Sequence, residues 1–148
     1  MARFGRIPAD AARQAAAKAA AALGEDSRVE LVYLFGSAAD DGRCDAGDVD
    51  IAVLTEPPLA LDELMRLRAD LIAITGAGID LILLNDASVV LAHEVADSGR
   101  CLYARTPDLE VDFVTRARSR YWDFKPFLDE QWRLAGERLE ARRNGSAS

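Results

Sequence analysis

Leu34-Phe35-Gly36-Ser37, then ten residues, then Asp48-Val49-Asp50-Ile51-Ala52-Val53 is the stretch on which the fold of this chain turns. Val29 to Phe35 is a run of aliphatic, β-branched and aromatic residues that predicts a buried strand, stopped by Gly36. Asp48 to Leu54 predicts a second strand, closed by Thr55-Glu56-Pro57-Pro58. Side chains alternate across a strand, so Asp48 and Asp50 share one face with Ala52 and Leu54, while Val49, Ile51 and Val53 take the other. Two carboxylates about 7 Å apart on an otherwise apolar strand repel each other, and burying them unpaired is costly. A divalent cation removes both problems. Hard oxygen ligands with few protein contacts suit Mg²⁺, which keeps waters and takes up substrate phosphates.

Asp80 repeats the pattern within Gly78-Ile79-Asp80-Leu81-Ile82-Leu83-Leu84. A carboxylate inside so apolar a strand is locally unfavourable and calls for a cause. If this strand lies beside the Asp48–Asp50 strand, three carboxylates converge, an arrangement suited to two-metal phosphoryl chemistry with Asp80 as ligand and candidate proton acceptor. Gly36 ends its strand without a Cβ to keep a phosphate away. The backbone N–H groups of the following turn and the Ser37 hydroxyl are candidate phosphate donors.

Outward from this centre, residues 8–23 predict a helix with Pro8 in its first turn, and Ala38 to Gly47 a polar loop with room for a short helical turn. Leu61, Leu64, Leu67, Leu71 and Ile74 recur at helical spacing within Leu59–Thr75, which ends at Gly76. Ile79–Leu84 predicts a third strand, Ser88–Ala96 a short helix and Arg100–Ala104 a fourth strand. From Thr106 the pattern is helical to about Arg143, with Thr106 as a candidate cap, Pro107 at the first position, and Pro126 expected to break or kink the span near Lys125. Asn144 to Ser148 reads as a loose tail. Helices alternating with strands imply an α/β (α+β) fold on one small sheet. Residues 1–148 form one domain in this reading, with an α/β core over 1–105 and C-terminal helices over 106–143.

Composition narrows the function. At 148 residues with half of them apolar, the chain has enough material for one core. A formal net charge of −7 argues against the basic footprint that long nucleic acids require, and against a template-directed polymerase. No stretch approaches the length of a membrane span, and Arg13, Gln14 and Lys18 interrupt the Ala-rich N-terminal segment, so no export signal is read and a cytoplasmic protein is expected. Cys44 and Cys101 lack partners at zinc or disulfide-framework spacing and read as reduced thiols. His93 reads as a surface or packing residue in a helix.

Gly36-Ser37 with Asp48-Val49-Asp50 resembles the signature of the DNA polymerase β-like nucleotidyltransferase superfamily, and Asp80 matches the place of its third acidic residue. The small size, the segment Glu94 to Tyr103 and the stretch Tyr121-Trp122-Asp123-Phe124-Lys125-Pro126-Phe127 are similar to the minimal nucleotidyltransferases (MNT), the antitoxin halves of HEPN/MNT toxin–antitoxin pairs. The resemblance implies a mixed sheet flanked by helices, ATP as donor, Mg²⁺ as cofactor, and AMP transfer to a tyrosine hydroxyl of a cognate HEPN ribonuclease toxin. It implies Asp48, Asp50 and Asp80 as the metal-binding catalytic set and Gly36 and Ser37 as nucleotide contacts. Two features depart from it. The loop Ala38-Ala39-Asp40-Asp41-Gly42-Arg43 is acidic where many relatives are basic, and Gly47 rather than serine precedes Asp48.

Six of the ten aromatics (Phe113, Tyr121, Trp122, Phe124, Phe127 and Trp132) fall in the C-terminal helical stretch, interleaved with Arg116, Arg118, Arg120 and Arg133. They either pack on the sheet or meet a partner, and one helix has faces for both. Three modes of action follow: AMP transfer to a protein hydroxyl, silencing of a partner by complex formation alone, or nucleotidyl transfer to a small molecule of the aminoglycoside type.

Overall fold

The computed structural model describes residues 7–36, 45–46 and 48–146. In chain order the elements are β1 (Ile7–Pro8), α1 (Ala9–Gly24), β2 (Val29–Phe35), β3 (Asp45–Ala46), β4 (Val49–Thr55), α2 (Leu61–Thr75), β5 (Ile79–Leu83), a 3₁₀ turn (Leu84–Asp86), α3 (Val89–Ser98), β6 (Arg100–Ala104) and α4 (Pro107–Ser146). Four strands form a mixed sheet in the order β5-β4-β2-β6. β4 runs antiparallel to β2 and parallel to β5, and β6 runs antiparallel to β2.

The strand alternation sorts the sheet into two apolar faces. Val49, Ile51 and Val53 of β4 join Ile79 and Leu81 of β5 and Val32 and Leu34 of β2 beneath α1 and α2. The fully covered alanines of α1 (Ala12, Ala16 and Ala19) let that helix lie close on the strands. On the other face Leu31, Tyr33 and Ala52 meet Val95 of α3 and the start of α4, where the Tyr33 and Phe113 rings sit 5.3 Å apart. The result is helices, sheet, helices, as the alternating elements required.

Several boundaries differ from the sequence reading. β4 begins at Val49, so Asp48 stands just before the strand, with the Val49 N–H bonded to the Gly78 carbonyl at 2.8 Å. α2 begins two residues late, after Leu59 has turned into the core, and the Glu63 carboxylate accepts the Ala60 N–H at 3.1 Å. Ser88 caps α3 by accepting the Leu91 N–H. The pairing of Ile7–Pro8 with Asp45–Ala46 was not anticipated at all.

The largest correction is α4. It is one helix of 40 residues with Pro126 inside it, running to Ser146 where a loose tail was expected. Proline removes one helical hydrogen bond, the one the Trp122 carbonyl would have received. Around Trp122 the helix is exposed, so water can serve that carbonyl and the helix continues. Among the described residues no helix is long and apolar enough to cross a membrane.

Candidate active site

Register brings the predicted acids together. Asp80 of β5 lies directly beside Asp50 of β4, and Phe35, the last residue of β2, lies beside Asp50 on the opposite flank. Adjacent strands run about 5 Å apart, so Asp50 and Asp80 are neighbours across the sheet on the face that holds Ala52. Asp48 precedes them on the same edge. Asp50 is half-buried, while Asp48 and Asp80 are exposed.

Gly36 sets the wall opposite. Its φ is +72°, a left-handed conformation that favours glycine, and a Cβ there would overlap the Asp50 Oδ2. The backbone leaving β2 therefore passes right against the central carboxylate, and any side chain at position 36 would displace it. Ser37, the acidic loop with Asp40, Asp41 and Arg43, Cys44 and Gly47 lie outside the described residues.

The electrostatics match the geometry. Burial, reinforced by the Asp80, Asp48 and Glu94 carboxylates, pushes the Asp50 carboxyl up to about 6. Among the described residues, the charged side chains acting on Asp50 are all acidic. No group of three acids, histidines or cysteines among the described residues is placed to hold a metal ion by itself.

Glu94 is the residue that sequence reasoning missed. It lies on α3, three residues after Leu91 and beside the fully buried Val95, both of which pack on the carboxylate-bearing face. The signal was an acid within the apolar run Val89-Val90-Leu91-Ala92, His93, Glu94, Val95, but its relevance depended on α3 lying over β4. His93, by contrast, is a packing residue. Its ring stacks on Tyr121 at 3.7 Å and 10°. Cys101 is a free, half-buried thiol.

A mixed four-stranded sheet, two aspartates side by side at one end of the adjacent strands β4 and β5, and a glycine turned against them are the features of a nucleotidyltransferase. Residues 17–108 match the polymerase β nucleotidyltransferase family, and the chain belongs to that family. It is 32% identical over 94 residues to the protein adenylyltransferase MntA of Shewanella oneidensis, covering 64% of this chain and 67% of MntA. Its fold matches a toxin–antitoxin complex solved with AMP-PNP, with a TM-score of 0.67 and 25% identity over 78% of this chain and 98% of that one. It also matches the complex of a tri-AMPylated Shewanella oneidensis HEPN toxin with its MNT antitoxin, with a TM-score of 0.64 and 25% identity over 81% and 98% of the two chains.

Proposed function

We propose that this chain is an antitoxin that transfers AMP from ATP to a tyrosine hydroxyl of a cognate HEPN-type toxin and thereby silences it. The observation that carries the reading is the pairing of Asp50 with Asp80 against the Gly36 backbone. The relatives support it: one is a protein adenylyltransferase, and another was solved with its toxin already AMPylated.

Asp48, Asp50 and Asp80 are the residues that would hold Mg²⁺. A divalent cation bound there supplies neutralisation of the triphosphate and a lowered pKa for the attacking hydroxyl. Gly36 leaves the backbone open to the phosphates, and Ser37 follows it as a donor. In the transfer a new bond forms between the tyrosine oxygen and the α-phosphorus, the bond from that phosphorus to the β-phosphate bridging oxygen breaks, and pyrophosphate departs. Asp80, exposed beside the reaction centre, accepts the tyrosine proton. The same reading puts the reaction in the cytoplasm, where ATP is supplied.

The test is the intact mass of the adjacent gene's product, after co-expression with this chain or with the Asp48→Ala/Asp50→Ala variant. Added AMP units with the first, and none with the second, are expected. The catalytic loss should reach at least about 10³-fold, the scale on which removal of metal or oxyanion support acts. Modification that survives the double substitution would move the chemistry to other residues. An unmodified but stably bound toxin would make the chain a binding antitoxin.

A further inference from the structure

α4 reaches past the body of the protein at the carboxylate end. Its first turns, around Leu109 and Phe113, border the C-terminal end of β4 at Leu54 and Thr55. Arg116 and Ala117 lie near Ala92 of α3. Tyr121 then stacks on His93, the neighbour of Glu94, whose carboxylate acts on Asp50 at the N-terminal end of β4. The helix thus travels from one end of β4 to the other, and Trp122 to Ser146 carry it on for about 37 Å.

This projecting half carries an apolar stripe, half-buried at Phe124, Leu128 and Ala135 and open at Trp132 and Leu139. Tyr121, Phe124, Leu128, Trp132, Ala135 and Leu139 recur at three- and four-residue steps and so line one side of the helix. The stripe continues the side that Tyr121 turns to α3, but beyond α3 it meets solvent: Trp132 is 70% and Leu139 62% exposed. The charged residues around it already pair within the helix, Lys125 with Asp129 at 2.8 Å and Arg133 with Glu130 at 2.6 Å and with Glu137. What is left open is therefore the outer part of the stripe, at Trp132 and Leu139. A helix face of this length offers on the order of several hundred Å², the scale of one side of a specific protein interface.

We propose that the projecting half of α4 is the docking mast for the acceptor protein, the HEPN-type toxin, holding it so that its tyrosine reaches Asp50 and Asp80. The inference rests on the reading that the acceptor is a protein. A protein acceptor has to be held at the edge where the carboxylates open, and α4 stands beside that edge with apolar area to spare. The surface it fits is an apolar groove or helix face rimmed by groups of both charges, complementary to the self-paired flanks of the mast.

The test uses the full chain with Trp132→Glu/Leu139→Glu, substitutions at exposed positions. ATP with Mg²⁺ should still raise its melting temperature as it does for the unmodified chain, showing that the core and nucleotide site are intact. The toxin concentration giving half-maximal AMP transfer should rise on the order of 30-fold, with the rate recovered at saturating toxin. The conservative Trp132→Phe/Leu139→Met variant should restore the original dependence. Transfer at unchanged toxin concentration would overturn the proposal, and so would a variant that only converts an oligomer of this chain to a monomer, since the stripe would then join copies. Capture of the toxin by the Asp48→Ala/Asp50→Ala variant separates the two readings. If that variant binds toxin through the stripe although the unmodified chain adds no AMP, the docking mast stands and the transfer reading falls.

Discussion

At its C-terminal end β4 closes on Thr55, which is fully buried and fully served: its N–H donates to the Asn85 side-chain oxygen at 3.0 Å, its carbonyl accepts from the Asn85 amide at 2.7 Å, and its hydroxyl donates to the Pro57 carbonyl. At its N-terminal end stand Asp48, just before the strand, and the half-buried Asp50, on which the charged groups acting among the described residues are the carboxylates of Asp80, Asp48 and Glu94. Twenty-odd ångströms of one strand therefore contain a polar group bonded at every polar atom and a carboxyl whose side-chain partner is another acid, Asp80. Satisfied groups build stability. An acid held among acids opposes folding, and in the function proposed above this is the end of the strand that receives a cation and a triphosphate.

Substitutions at the two ends should accordingly separate activity from stability. Among the single substitutions that set the two ends apart, the largest effect is expected from Gly36→Ala at the acidic end. Its φ of +72° strains any side chain, and the new Cβ would push the Asp50 carboxylate out of place. A displacement near 1 Å at a reacting centre costs about 10²-fold in rate, so steady-state AMP transfer should fall by about that factor even in the fraction that remains folded. Unchanged turnover would mean that the close approach of Gly36 to Asp50 has no part in catalysis. Asn85→Ala comes next, at the other end. It leaves the Thr55 N–H and carbonyl without their protein partner and should lower stability by about 2 kcal/mol in urea denaturation. Activity per folded molecule should hold. A loss of turnover without loss of stability would erase the distinction between the ends.

Local pattern revealed much of this architecture. β2 and β6 have the bounds expected of them, because Val-Glu-Leu-Val-Tyr-Leu-Phe and Arg-Cys-Leu-Tyr-Ala are apolar runs fenced by turn residues. The alternation within β4 put Asp50 on the face of Ala52 from spacing alone, whereas Asp48 stands just before the strand. That Asp80 stands beside Asp50 needed the parallel register of β4 and β5, which side-chain periodicity does not specify. Glu94 was hidden for the same reason: its neighbourhood exists only once α3 lies over the sheet. The β1–β3 pairing is two residues long and leaves no periodicity to read. Pro126 misled because its rule describes the backbone, whereas the exposure of the surrounding helix decided whether the lost hydrogen bond mattered. The aromatic stretch divided as its spacing allowed, with Phe113 and Tyr121 packed inward and Trp132 left outside.

The smaller effects belong to Asp50 itself, and their sign follows from the direction of its shift. A carboxyl raised to about 6 keeps its proton in the folded protein at pH values where the unfolded chain has already released it. Between about pH 4 and 6 the folded state binds the extra proton, so without a divalent cation stability falls as pH rises through that window and stays lowered above it. Cation binding needs the charged form. The apparent Mg²⁺ affinity should therefore grow as pH rises through about 6 and then level off, about tenfold weaker near pH 5 than near pH 7.5 by titration of Mg²⁺ against melting temperature. A flat profile would mean that Asp50 is not a ligand. Asp50→Asn removes the charge while keeping the shape. It should stabilise the Mg²⁺-free protein near pH 7.5 by on the order of 1 kcal/mol, a discounted figure because solvent still reaches the carboxylate. Near pH 4, where Asp50 is protonated in the folded protein, the gain should vanish. A variant less stable than the parent at both pH values would show that Asp50 is held in place by bonds rather than opposed by its neighbours, and the two ends of β4 would then be built alike.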